Sequence, residues 1–193
     1  MPSSSLDKWQ NVRLVALDQI AAAHAAVGGV APGRRYATQH INQAYVMLLS
    51  GQFQGFCRDL HSEGVDYLLG PYVPGDTRTT LIRSRLTSGR KLDRENANPG
   101  NLGNDFELFG FKLWDALNAH DRANDERNLA LTELNVWRNA IAHQQFTHKD
   151  LDGRNTVRLQ DVRAWRAACE ALATELDAVV GAQVATIVGA PAW

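Results

Sequence analysis

Apolar residues recur at intervals of three and four along most of this chain, a spacing that predicts helices and no convincing strand. Leu6, Trp9, Leu14, Leu17 and Ile20 mark a first helix, capped by Ser4 or Ser5 and running to about Val27. Gly28-Gly29 and Pro32-Gly33 end it. A long second helix follows from about Arg35 to Leu69, with Tyr45, Leu48, Leu49, Phe53, Phe56 and Leu60 as its buried stripe. Gly51, Gly55 and Gly64 interrupt it, and glycine costs about 1 kcal/mol in a helix interior. Close packing by a neighbouring element is expected to compensate at one of them or more.

The run from Gly70-Pro71 to Pro74-Gly75 is a firm break. A short helix is predicted over Thr77 to Leu86, a long irregular segment over Ser88 to Asp105, and a helix over Phe106 to Ala119 with Phe109, Leu113, Trp114 and Leu117 inward. Asp121 then caps a helix that runs to about His143. A polar loop spans Thr147 to Asn155, and a last helix spans about Leu159 to Val188. The fold class is all-α, an antiparallel helical bundle with long helices and a C-terminal helix. Residues 1–193 read as one domain, with an N-terminal helix over 1–30, a core bundle over 35–176 and a C-terminal extension over 177–193.

Composition changes this picture little. A formal net charge of -1 gives no bulk attraction to nucleic acid, so any such binding needs a local basic groove. Cys57 and Cys169 are far apart in sequence and read as reduced, half-buried thiols on helices, which suits a cytoplasmic location. The polar start from Met1 to Asp7 is unlike a secretory signal. The apolar run Val179 to Val188, broken by Gly181 and Gln183, is short for a membrane span, so no membrane association is expected. His24, His40, His61 and His120 are scattered without a Glu-x-x-His pair, and no metal or other cofactor is expected. There is no P-loop, dinucleotide fingerprint or Gly-x-Ser-x-Gly elbow.

Chemistry concentrates in Arg138-Asn139-Ala140-Ile141-Ala142-His143. Arginine offers a charged planar fork to phosphate oxygens, and histidine moves protons near neutral pH. With residues advancing about 100° each along a helix, Ala130, Leu131, Leu134, Trp137 and Ile141 form one apolar face, while Asn139 and His143 share another. Arg138 sits at the edge of the apolar face, where its long stem lets the head group reach the other two. Leu129, Val136 and Ala140 make a second, smaller apolar strip beside His143, so the helix is expected to pack on two sides. That second neighbour is either another helix of the chain or the same helix of a second subunit.

Cleaving RNA without a metal needs a base for the 2′-hydroxyl, an acid for the leaving 5′-oxygen and cations for the phosphate. A symmetric dimer would pair two copies of Arg138, Asn139 and His143, so a composite dimer site is the reading that serves this chemistry. The plainer alternative makes His143 a helix C-cap and Arg138 an ion-pair partner of Glu133. Arg78, Arg83 and Arg85, with Arg90, Lys91 and Arg94 after them, are candidates for an RNA path, or else a solvated face. His148 and Lys149 are candidates to supplement the site, or else part of a plain polar loop.

Arg138-Asn139-x-x-x-His143, late in a helical domain, resembles the Arg-x(4–6)-His motif of the HEPN superfamily. The segment Ala44 to Leu60 is similar to the second helix of the RiboL-PSP-type HEPN proteins, and the similarity runs over about Tyr36 to Leu176. The resemblance implies an endoribonuclease that needs no metal, acts as a homodimer, and serves as a toxin or antiviral defence effector with an antitoxin or defence-system partner. It implies that Arg138 polarises the phosphate, Asn139 orients the site and His143 acts as acid or base, leaving a 2′,3′-cyclic phosphate and a 5′-hydroxyl. A non-catalytic HEPN-like module that binds RNA, a nucleotide or a protein is the alternative. Two departures stand out. Gln54 precedes Gly55 where many relatives carry Glu. Gln145 and Phe146 follow the motif where some toxins have a modifiable tyrosine two residues after the histidine, so that inactivation route is not expected here.

Overall fold

The computed structural model describes residues 1–28, 36–70 and 76–193. Among these residues the chain is helical with no strand. The breaks predicted at Gly29, Pro32-Gly33 and Pro71 to Gly75 lie outside the described residues.

The chain opens with α1 (Ser4–Lys8), a π-helical turn (Trp9–Arg13) and α2 (Leu14–Gly28). The cap is Ser3 rather than Ser4 or Ser5. Ser3 Oγ accepts from the Leu6 N–H at 3.0 Å, because the Ser4 and Ser5 N–H groups both donate to the Glu63 carboxylate at 2.9 Å. The wide turn places Trp9 in the core, edge-on to Phe53 at 5.9 Å.

The long helix is α3 (Tyr36–Leu69). Its predicted stripe is buried at Tyr45, Leu49, Phe53, Phe56 and Leu60, and partly buried at Leu48. The glycines divide as packing requires. A Cβ at Gly55 would lie 2.5 Å from the Arg13 guanidinium, and one at Gly64 would lie 3.1 Å from the Phe109 ring, whereas Gly51 faces open space. Cys57 and Cys169 are fully buried, not half-buried, and desolvation pushes both thiols well above their ordinary range.

After α4 (Thr77–Thr87), capped by Asp76, the structure departs from expectation. The segment read as irregular contains a 3₁₀ turn (Lys91–Asp93) and α5 (Pro99–Phe106). Asn98 caps α5, accepting from the Asn101 N–H at 2.8 Å, with Pro99 at the first helical position. The helix predicted over Phe106 to Ala119 is divided. A 3₁₀ turn (Glu107–Phe109) follows α5, Gly110 at φ 77° reverses the chain, and α6 covers Leu113–His120. The division lets Phe106 and Phe109 both close on the buried His61 ring, at 5.3 and 4.9 Å.

Two helices complete the bundle, α7 (Asn124–His143) and α8 (Leu159–Val188). Asp121 accepts from the Ala123 N–H at 3.0 Å, organising the turn that leads into α7. α3, α7 and α8 pack on one another, and α2 lies along α3. By length and composition α8 is apolar enough to cross a membrane. Here it lines the bundle's centre, burying Val162, Trp165, Cys169, Leu172, Leu176 and Val180. It continues without a break through residue 177.

Candidate functional site

The core face of α7 is set by Leu131, Leu134, Trp137 and Ile141, all buried. This orientation turns Asn139 and His143 outward, and both are exposed. The second strip is graded rather than uniform: Ala140 is buried, Val136 half-buried and Leu129 70% exposed.

Directly after His143 the helix stops. Gln144 adopts the left-handed conformation at φ 52°, and its N–H and that of Gln145 return to the carbonyls of Ile141 and Ala140 at 3.3 and 2.9 Å. This is a Schellman-type ending built on a residue other than glycine, and such backbone conformations are enriched at functional sites. The chain then folds back over the end of α7. Buried Leu151 anchors the return, and Arg154 stacks on Trp137 at 5.4 Å. Between helix end and returning chain lies a groove of about 460 Å³, lined by Val136, Asn139, Ala140, His143, Gln145, Thr147, His148 and Lys149. Among the described residues that line it, none is acidic.

The plain structural role for Arg138 does not hold. Glu133 is already engaged by Arg154 at 3.0 Å and by the Trp165 N–H at 3.1 Å. Among the described residues no carboxylate pairs with Arg138. Its guanidinium instead donates to Asn139 Oδ1 at 3.2 Å, which brings it to the edge of the groove.

A residue not singled out in the sequence completes the cluster. Asn96 donates from Nδ2 to the same Asn139 Oδ1 at 2.6 Å. With that oxygen accepting twice, the Asn139 amide is oriented. Asn96 belongs to a strap over residues 90–98 that is fastened along its length. The buried Asp105 carboxylate accepts from the N–H groups of Lys91 and Leu92 at 2.8 and 2.9 Å. Gln54 donates from one amide nitrogen to the carbonyls of Leu92 and Glu95, at 2.7 and 2.8 Å. A glutamate at position 54 would face those two carbonyls with no proton to give, so glutamine suits this chain's strap. Arg90 closes the end of the strap, bonding Asp93 and Ser62 and lying 3.4 Å from His61 Nδ1. His61 Nε2 in turn lies 3.0 Å from the Asp105 carbonyl. Burial, with Arg90 beside it, lowers the His61 pKa to about 4, so this ring is neutral at pH 7.

The remaining candidates separate. His148 and Lys149 stand in the groove with His143. Arg83 does not join them: it is held in a two-pronged pair with Asp66, at 2.7 and 2.9 Å. Asp66 is twelve residues beyond Gln54 along α3, a rise of about 18 Å. Arg78 and Arg85 are exposed on the same short helix as Arg83. Arg90 is consumed by the strap and Lys91 pairs with Glu95, so neither is a free cation for RNA. Among the described residues, no group of three His, Cys, Asp or Glu side chains is arranged to hold a metal ion.

The RiboL-PSP-HEPN family model matches residues 17–182, a span that holds α3, the strap, α7 and most of α8. The chain belongs to this HEPN-type family. Arg138, Asn139 and His143 lie within the matched span, in the last turns of α7. No curated protein and no solved structure matches the chain.

Proposed function

We propose that this HEPN protein is an endoribonuclease that cleaves RNA by 2′-oxygen transesterification without a metal. The observation that carries the reading is the cluster at the end of α7. Arg138, unpaired with any described carboxylate, is tied to Asn139, and Asn139 shares a groove with His143, His148 and Lys149. Such a groove offers a phosphodiester Lys149, imidazole and amide groups with no acidic side chain in its lining. Arg138 places its fork on a non-bridging oxygen and stabilises the charge that grows there. The NH₂ of Asn139, whose oxygen is already engaged, donates to the same phosphate. His143 exchanges the proton of the attacking 2′-hydroxyl.

The acting form in this reading is a two-fold dimer that meets along the Leu129–Val136 strip of α7. A 70% exposed leucine beside the motif is what such a contact would cover. Two copies double the arginines and imidazoles around the cleft. A toxin or defence effector restrained by a partner protein is the setting the family resemblance suggests.

The test is RNA cleavage by the wild type and by His143→Ala in the presence of a chelator. The wild type should yield 2′,3′-cyclic phosphate ends and the variant should not. Equal background cleavage by the two would overturn the enzymatic reading.

A further inference from the structure

The groove holds a second imidazole from the same chain, which the six-residue motif does not include. We propose that His148 is the general acid that protonates the leaving 5′-oxygen, working with His143 of the same chain as the base. This rests on the ribonuclease reading above, and it takes the second proton-transfer group from the partner subunit and places it within one groove.

Three features support the assignment. His143 and His148 line one groove, with Asn139 on its wall. The His148 ring is also oriented, since its Nδ1 accepts from the Asp150 N–H at 3.2 Å, so the neutral ring carries its proton on Nε2. In the imidazolium form the Nδ1 proton faces the Asp150 carboxylate, whose Oδ2 lies 3.5 Å away, and Nε2 still carries a proton. The imidazolium is the form that acts as the acid, and with Nδ1 engaged by Asp150 its Nε2 proton is the one left to give to a substrate. Lastly, buried Leu151 fixes the loop, and its N–H donates to the His148 carbonyl at 3.0 Å. Lys149 is the other cation at hand, but imidazole is the side chain most used for proton transfer in catalysis.

The step balances within the chain. The 2′-oxygen attacks phosphorus and its proton passes to His143. The new P–O2′ bond closes the cyclic phosphate while the P–O5′ bond breaks. The departing O5′ keeps the bonding pair and takes the Nε2 proton of His148. His143 ends protonated, and His148 ends neutral with its remaining proton on Nδ1 beside the Asp150 carboxylate; exchange with water restores both.

A substrate with sulfur in place of the scissile 5′-oxygen isolates this role, because a thiolate leaves without being protonated. On ordinary RNA, His148→Ala should be slower than wild type by about a hundredfold or more. On the 5′-thio substrate it should return close to the wild-type rate, while His143→Ala stays slow on both. Mixing His143→Ala with His148→Ala chains should restore nothing, since no subunit then holds both groups. If His148→Ala is unaffected on both substrates, equally slow on both, or rescued by mixing, the proposal is overturned and the ribonuclease reading survives. A wild type inert on both substrates overturns the two together.

Discussion

Asn96 and Asn139, 43 residues apart in sequence, are joined by a 2.6 Å hydrogen bond whose acceptor oxygen also receives the Arg138 guanidinium. The strap that carries Asn96 is therefore part of what aims the motif. Asn96→Ala should lower kcat for RNA by about tenfold or more, since small misplacements of reacting groups are costly. Thermal stability should barely move, because the bond is exposed. Asp105→Asn should do both. It sets an NH₂ group against one of the two backbone N–H donors and should cost about 1–3 kcal/mol of stability as well as activity. Denaturant melts alongside cleavage rates check the pair. An Asn96→Ala protein with wild-type kcat would remove the strap from the mechanism.

Arg138 is free of structural duty among the described residues, since Glu133 pairs with Arg154 and Trp165. Arg138→Ala is expected to lower cleavage by about 10²–10³-fold, as for loss of an anion-stabilising donor. Arg138→Lys should recover little, because an ammonium lacks the planar fork. Melting temperatures of both variants should stay near that of wild type. A large drop in melting temperature would return Arg138 to a structural role.

Leu129 tests the dimer. Because it is 70% exposed, Leu129→Glu should leave the fold intact by far-UV circular dichroism. Placed across a two-fold contact, it brings two carboxylates together and should convert dimer to monomer in sedimentation equilibrium. Cleavage should fall in parallel, because the cleft then loses one of its two Arg138 guanidiniums while each chain keeps its own two imidazoles. A wild type that sediments as a monomer while cleaving at full rate would contradict the composite site.

His61 gives the fold an acid limit. Its pKa is depressed in the folded state, so the native protein holds the neutral ring, and this favours folding fully above the unfolded value of about 6.5. As pH falls from about 6.5 toward the folded value of about 4, the unfolded chain binds the proton first, and stability drops by about 3 kcal/mol in total. His61→Gln should flatten this limb in urea melts at pH 7, 5.5 and 4.5. Arg90, Asp93 and Asp105 surround the ring, so the comparison is between variant and wild type at each pH. Parallel curves for the two proteins would show that His61 does not set the limit.

The site was legible in part. Arg138, Asn139 and His143 were marked by residue type and by helical phase, because a well-patterned helix such as α7 fixes which side chains turn outward. Asn96 and Gln54 carried no comparable mark. The one local signal was Asn98-Pro99, a cap followed by proline, which identifies the start of α5 and places the strap just before it. The sequence likewise could not separate Arg83 from His148. Each is a polar residue on a predicted surface, yet one is spent on Asp66 and the other stands in the groove.

Local pattern alone determined the all-α class, the extent of the long helices α3 and α8 and the outward face of α7, because the 3.6-residue period depends on neighbours only a turn apart. Tertiary structure decided everything that joins distant segments. It divided the 106–119 helix so that two phenylalanines could enclose His61, and it turned a supposed loop into a fastened strap. It also folded residues 145–149 back over the end of α7. Those outcomes depend on which buried donors and acceptors find each other across the fold, and no periodicity within one segment records that choice.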